Sequence, residues 1–261
     1  MEKKYVFMLF FIFAIFLFLV VDLKIGGSFF PIILNIINFS THIIAIFFGI
    51  RAFNYFKINT HQGKVSFFIT ASIITWFIGE IIWQINENAV VSIADFFYMS
   101  GYFFMTIALF LGLNLVNSDF FKSKKNLVIL LLSIGLISYL YFSIIPVNWS
   151  KGFSLLENLV TIGYVFADLF ILIPCIALIL SVWSGKYKQS WIFILIGVCL
   201  FIIGDSLYAI NYNTYTKGSI VDLTWYYAYL FFALGLYCLR KTAKESIEFL
   251  KKNLKKSDVK K

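Results

Sequence analysis

Charge is scarce in this chain. Asp, Glu, Lys and Arg together make up 13% of its 261 residues, about half the share of an ordinary soluble domain. Apolar side chains make up 61%, and the mean hydropathy is +0.89. That balance excludes a conventional water-soluble globule, because so much apolar surface needs lipid as its solvent. Cysteine occurs three times, at Cys175, Cys199 and Cys238, always inside an apolar run and never as a CxxC pair. A disulfide or zinc framework is therefore excluded, and the three thiols read as small buried apolar residues. The two histidines, His42 and His61, fall in different settings, one in an apolar run and one in a polar break, so no metal centre is expected. Pro31, Pro146 and Pro174 are too few to mark the broken helices of a transporter, although Pro174 could kink its helix. No Ser-His-Asp spacing, HExxH, P-loop or dinucleotide fingerprint is present. No catalytic residue and no cofactor is expected, and the chain does not read as an enzyme.

What is present is a succession of apolar runs, at about 5–22, 29–50, 66–86, 95–116, 126–146, 157–183, 190–210 and 223–240. Each is near the ~20 residues that cross a bilayer. The expected fold is thus all-α, a polytopic membrane bundle of eight transmembrane helices. The first run follows Met-Glu-Lys-Lys but lacks a small-residue cleavage site and is too long for a signal peptide, so it reads as a retained helix. Eight spans place both termini on one side, and the basic residues sort accordingly. Lys3, Lys4, Arg51, Lys57, Lys64, Lys122, Lys124, Lys125, Lys186, Lys188 and the nine basic residues from Arg240 onward fall on that side. Only Lys24, Lys151 and Lys217 fall on the other. The positive-inside rule then predicts cytoplasmic N- and C-termini and a place in the cell membrane. Residues 1–240 form the expected transmembrane domain, and 241–261 a basic tail. Ile247, Phe249, Leu250 and Leu254 give that tail a partial helical stripe suited to anionic lipid or a partner. No nucleic-acid fold accompanies its charge.

The two halves resemble each other. Trp76-Phe-Ile-Gly79-Glu80-Ile-Ile-Trp83 in the third run matches Leu200-Phe-Ile-Ile-Gly204-Asp205-Ser-Leu-Tyr208 in the seventh. Each has glycine, then an acid, then an aromatic three residues later. Each is followed by a second acid, Asp95 or Asp222, and then by aromatics: Tyr98 and Tyr102 after the first, Trp225, Tyr226 and Tyr229 after the second. His42 and Asp168 stand at similar distances before Glu80 and Asp205. The pattern predicts a parallel internal repeat of four helices and four, at about 1–118 and 119–240.

Glu80, Asp168 and Asp205 lie inside apolar runs, where an ionisable group costs roughly 2.5–3.5 kcal/mol at the bilayer centre. They must face the bundle interior, as a ligand or proton site or as interhelical hydrogen-bonding groups. Trp83 shares a helical face with Glu80 and Glu87, and Tyr208 shares one with Asp205. An acid beside an aromatic could receive an amine or cation, or the aromatics could be interfacial anchors. Asp95 and Asp222 precede spans and suit helix caps. Tyr98, Tyr102 and Trp225 beyond them are outer-face candidates, as pocket or aromatic belt. His42, with Asn35, Asn38, Ser40 and Thr41 just before it, is a further site candidate that reads more readily as hydrogen-bonded than metal-bound.

Gly-Glu80-Ile-Ile-Trp83, Ser92-Ile-Ala-Asp95-Phe-Phe-Tyr98-Met-Ser-Gly-Tyr102 and Tyr164-Val-Phe-Ala-Asp168 resemble motifs of a multi-helix membrane sensory region found before prokaryotic histidine kinase, PAS and diguanylate cyclase domains. The resemblance implies that Gly79, Glu80, Trp83, Ser92, Asp95, Tyr98, Tyr102, Tyr164, Asp168, Gly204, Asp205, Asp222 and Trp225 are family positions. Glu80 stands where that family has Asp, Val91 where it has Pro, and Val165 or Phe166 replaces the Pro after Tyr. About 20 residues follow Arg240, too few to fold an output domain. The expectation is a stand-alone sensor or receptor-like module that acts on a cytoplasmic or membrane partner and responds to an unknown small ligand. The alternatives are a small-solute or proton-coupled transporter using the buried carboxylates and, least favoured, an intramembrane lipid-modifying enzyme.

Overall fold

Serine caps fix where two of the helices begin. Ser92 accepts from the backbone at Ala94, while Asp95 accepts from Ser92 N at 2.7 Å. Ser154 and Glu157 make the same reciprocal pair. Such boxes satisfy backbone donors that have no partner within the helix. The computed structural model describes residues 3–85, 91–117, 119–144, 152, 154–183, 185–211 and 214–258. These form eight α-helices and no strand: α1 (Lys3–Asp22), α2 (Phe30–Phe56), α3 (His61–Ile85), α4 (Ile93–Val116), α5 (Lys124–Ile144), α6 (Leu155–Ser181), α7 (Lys188–Asn211) and α8 (Ile220–Asp258). Seven of them, all but α5, are long and apolar enough to cross a membrane among the described residues. The chain thus has the arrangement of a multi-pass membrane protein.

Several helices overrun the apolar runs that predict them. α2 continues to Phe56 and stops where Lys57 turns to a positive φ of 60°. α6 passes through buried Pro174 without ending. At the C-terminus α8 runs unbroken for 39 residues to Asp258, about 58 Å at 1.5 Å per residue, so the basic segment from residue 241 begins as a continuation of the last helix.

The most extensive helix contacts join α3 to α4 and α7 to α8. α2 packs between α3 and α8, α6 packs on α4, α1 lies along α8, and α5 rests on α6. Trp76 of α3 and Phe201 of α7 stack at the centre, with ring centroids 4.0 Å apart and planes 18° from parallel. Ser72 seals the α3–α4 contact by donating to the Gly101 carbonyl at 2.7 Å. α1 runs antiparallel to α8. Its Leu17, Val20 and Val21 cluster with Leu223, Tyr226 and Leu230, whereas Val6 clusters with Leu234, Tyr237 and Cys238. At the far end Lys3 reaches Glu245 at 3.1 Å. The start of α1 and the C-terminal part of α8 therefore share one end of the bundle. Outward faces are densely apolar. Met8, Phe11 and Ile12 on α1 and Leu131, Leu132 and Leu136 on α5 are all exposed, as lipid-facing residues are.

Truncating the central stack should be costly even without a water-driven hydrophobic term. Phe201→Ala is expected to lose roughly 1–3 kcal/mol, the packing part of what a soluble core loses for such a change. Phe103→Ala, on an exposed face, should shift stability by under about 0.5 kcal/mol. Unfolding of both variants in nanodiscs, read by circular dichroism, tests the contrast.

Candidate functional site

The helix contacts gather polar groups from six helices at the end of the bundle opposite the α1–tail contact. On α3, Glu80 is five residues from the helix end. Its Oε1 accepts from Asn38 Nδ2 at 2.6 Å and from Gln84 Nε2 at 3.1 Å, and its Oε2 accepts from the Tyr98 hydroxyl at 3.1 Å. On α7, Asp205 is six residues from the helix end. Its Oδ1 accepts from Trp225 Nε1 at 2.8 Å and its Oδ2 from the Tyr102 hydroxyl. Both acids thus lie toward one end of their helices rather than at the middle.

The preceding glycines explain these contacts. A Cβ on Gly79 would sit 3.0 Å from the Tyr98 ring, and one on Gly204 would sit 2.5 Å from Trp225 Nε1. Glycine lets the next helix approach closely enough for its aromatic to reach the acid one residue on. Tyr98 and Trp225 each lie one helical turn beyond a capping acid, Asp95 or Asp222. Asp95 also takes the Tyr164 hydroxyl on Oδ1 at 2.7 Å. Asp222 takes the backbone N–H of Gly218 and Ser219 on Oδ2, at 2.5 and 3.2 Å, and the Tyr215 hydroxyl on Oδ1 at 2.7 Å. Burial and the Asp222 charge push the phenol of Tyr215, in the α7–α8 connection, above its ordinary value.

The deep candidates join the same layer. Asp168 is buried on α6, within electrostatic reach of Asp205 on α7. His42 is buried on α2, where its Nδ1 donates to the Asn38 carbonyl at 2.8 Å; a carbonyl only accepts, which assigns the tautomer. Its ring lies 3.7 Å from that of Tyr229. Tyr229 in turn stands within electrostatic reach of both Glu80 and Asp205. Tyr208 touches the rings of Tyr215 and Trp225, at 5.0 and 5.9 Å. Trp83 is half-buried beside Lys217, whose Nζ is 5.8 Å from the ring centroid. Glu87, the other acid on that predicted face, lies outside the described residues.

Asn38, Gln84, Tyr215 and Lys217 belong to this layer without having been chosen as site candidates; Tyr164 was named only through the resemblance and Tyr229 only as an aromatic after Asp222. A polar residue one turn from a candidate, as Asn38 is from His42 and Gln84 from Glu80, was the available signal for two of them, and Tyr215 lies seven residues before its partner Asp222. For Lys217 the contact with Trp83 joins segments far apart in sequence. Cys175 of α6 and Cys199 of α7 likewise meet in one apolar core cluster, about two turns along their helices from Asp168 and Asp205. Among the described residues no group of three or more His, Cys, Asp or Glu could hold a metal ion. The arrangement instead presents carboxyls oriented by neutral phenol, indole and amide donors, which can exchange a proton or accept a cation. Comparison with protein-family models, curated proteins and solved structures finds no match.

One measurement tests this geometry. Trp225→Phe removes one donor to Asp205 and should cost about 0.6–1.7 kcal/mol of stability, the range of interhelical hydrogen bonds in a membrane, read by unfolding in nanodiscs.

Proposed function

We propose that this chain is a sensory or receptor-like module of the cell membrane that signals through a partner, with eight spans, two related four-helix units and both termini in the cytoplasm. The antiparallel run of α1 and α8 supports the span count, because a last helix opposite in direction to the first requires an even number of crossings. α5 supplies the eighth, with exposed leucines suited to lipid. Matched contacts support the related units. α3–α4 pairs as α7–α8 does, α2 meets α8 as α6 meets α4, and Glu80–Tyr98 corresponds to Asp205–Trp225.

One observation carries the sensory reading. α8 bears Asp222, Trp225 and Tyr229 at one end and the basic segment at the other, in a single helix. A changed hydrogen bond at Asp205 acts on Trp225, and an unbroken helix transmits the resulting shift or rotation to residues 241–258. The partner reads that basic face. A stimulus need only bind the two packings of the halves with different affinity. Asp205→Asn serves as an altered state that needs no ligand. With spin labels on cysteines replacing Tyr55 and Phe249, Asp205→Asn should move the distance distribution by several ångströms, and two glycines inserted after Arg240 should abolish the shift. An unchanged distribution in Asp205→Asn overturns the transmission route.

A second reading is favoured by the proximity of Asp168 and Asp205, two buried carboxyls that act on each other electrostatically. Like charges so placed disfavour ionising both, and a proton that can leave is the element a proton-coupled carrier needs. Reconstituted liposomes with an internal pH dye decide between the readings. Proton flux lost in Asp205→Asn supports the carrier; no flux in the parent protein leaves the sensor.

A further inference from the structure

Residues 214–219 of the α7–α8 connection lie on the Glu80 side of the layer and are tied to α8 there. Gly218 has a positive φ of 85°, and its N–H, with that of Ser219, donates to Asp222. A Cβ at Gly218 would meet Phe30 and Leu34 of α2 at 2.7–2.8 Å. Tyr215 ties the segment to the same carboxylate. The adjacent residue is Lys217, one of the three basic residues at this end of the bundle by the topology proposed above. Its Nζ stands over the face of Trp83 and acts electrostatically on both Glu80 and Asp222.

Glu80 is oriented by Asn38, Gln84 and Tyr98, all neutral donors. Such donors fix a carboxylate in place without cancelling its charge. Lys217, on a flexible four-carbon stem from a clamped backbone, brings a positive charge within electrostatic reach. A carboxyl of fixed orientation, the π face of a half-exposed tryptophan and an ammonium 5.8 Å from that ring have the parts of an amine-recognition site, since an ammonium that enters between acid and ring gains both ion pairing and cation–π attraction. We propose that Glu80 and Trp83 form a binding site for an exogenous ammonium-bearing ligand arriving at the end of the bundle opposite the tail, and that Lys217 is a tethered ammonium occupying it in the unliganded protein. The ligand displaces the Lys217 side chain while Asp222 keeps the loop backbone in place. Release of Lys217 alters the charge beside Asp222, the first-turn acid of α8. The ligand's effect on α8 rests on the sensory reading above; the binding site itself does not.

A tethered competitor lowers apparent affinity by the fraction of time it leaves the site open. The experiment uses the full chain in nanodiscs of neutral phosphatidylcholine, titrated with ethylammonium and tetramethylammonium and followed by ligand-observed NMR saturation transfer. Lys217→Ala should bind at least about tenfold more tightly than the parent, as expected for a side chain that holds the site about nine-tenths of the time. Lys217→Arg, which keeps a tethered cation, should bind like the parent. Lys217→Ala combined with Trp83→Leu or with Glu80→Gln should lose the gain. Equal affinities in the parent, Lys217→Ala and Lys217→Arg overturn the proposal, as does an undiminished gain in the Trp83 double variant. This measurement involves no tail movement, so its failure is separable from failure of the sensory reading.

Discussion

Inside a bilayer a polar side chain has no water to fall back on, so each must find its partner within the protein. The fold turns on how the acids of α3 and α7 meet that constraint. Each draws an aromatic donor from the following helix, Tyr98 to Glu80 and Trp225 to Asp205, and each contact needs the small residue just before the acid. Glycine at 79 and 204 brings the helices close, and close helices bring α3 onto α4 and α7 onto α8. Those are the two most extensive contacts in the bundle. Tyr102 then crosses from α4 to Asp205, so a hydrogen bond also holds α4 to α7, above the Trp76–Phe201 stack. Dispersion alone would let such apolar helices slide, since lipid competes well for leucine and phenylalanine. The acid–aromatic bonds set register and depth.

Much of the fold was legible in the sequence because apolar length and charge asymmetry are one-dimensional signals. Each expected run lies within or close to one helix, and the glycine–acid part of the repeat pattern marked Glu80 and Asp205, whose aromatic partners are Tyr98, Tyr102 and Trp225 of other helices rather than Trp83 and Tyr208 three residues on. The capping role of Asp95 could also be read, since Ser at the cap and an acid three residues later form a local pattern. That the last helix continues into the basic segment has a physical reason: hydropathy reports where lipid ends, not where a helix ends, and nothing in Lys241–Asp258 breaks a helix. The partnership of Asp168 with Asp205, the approach of Cys175 to Cys199 and the seating of Lys217 over Trp83 were not legible. They depend on which helix lies beside which, information that no periodicity holds.

The same layer also constrains mechanism. Its acids are oriented by groups that neither gain nor lose charge near neutral pH, so any change in the layer must come from a proton, a ligand cation or Lys217. Each alters an electrostatic contact at one end of α7 or α8 while leaving the apolar stack intact. That separation suits a switch: the stack preserves the fold and the polar layer sets which packing is favoured, with α8 touching both. A carrier asks more of the same groups, because it must open the layer to each side in turn and so break the Tyr102–Asp205 tie between α4 and α7. A sensor needs only to retune that tie. The smaller rearrangement, together with a helix that already leads away from it, makes signalling the reading that uses the most of what this chain has built.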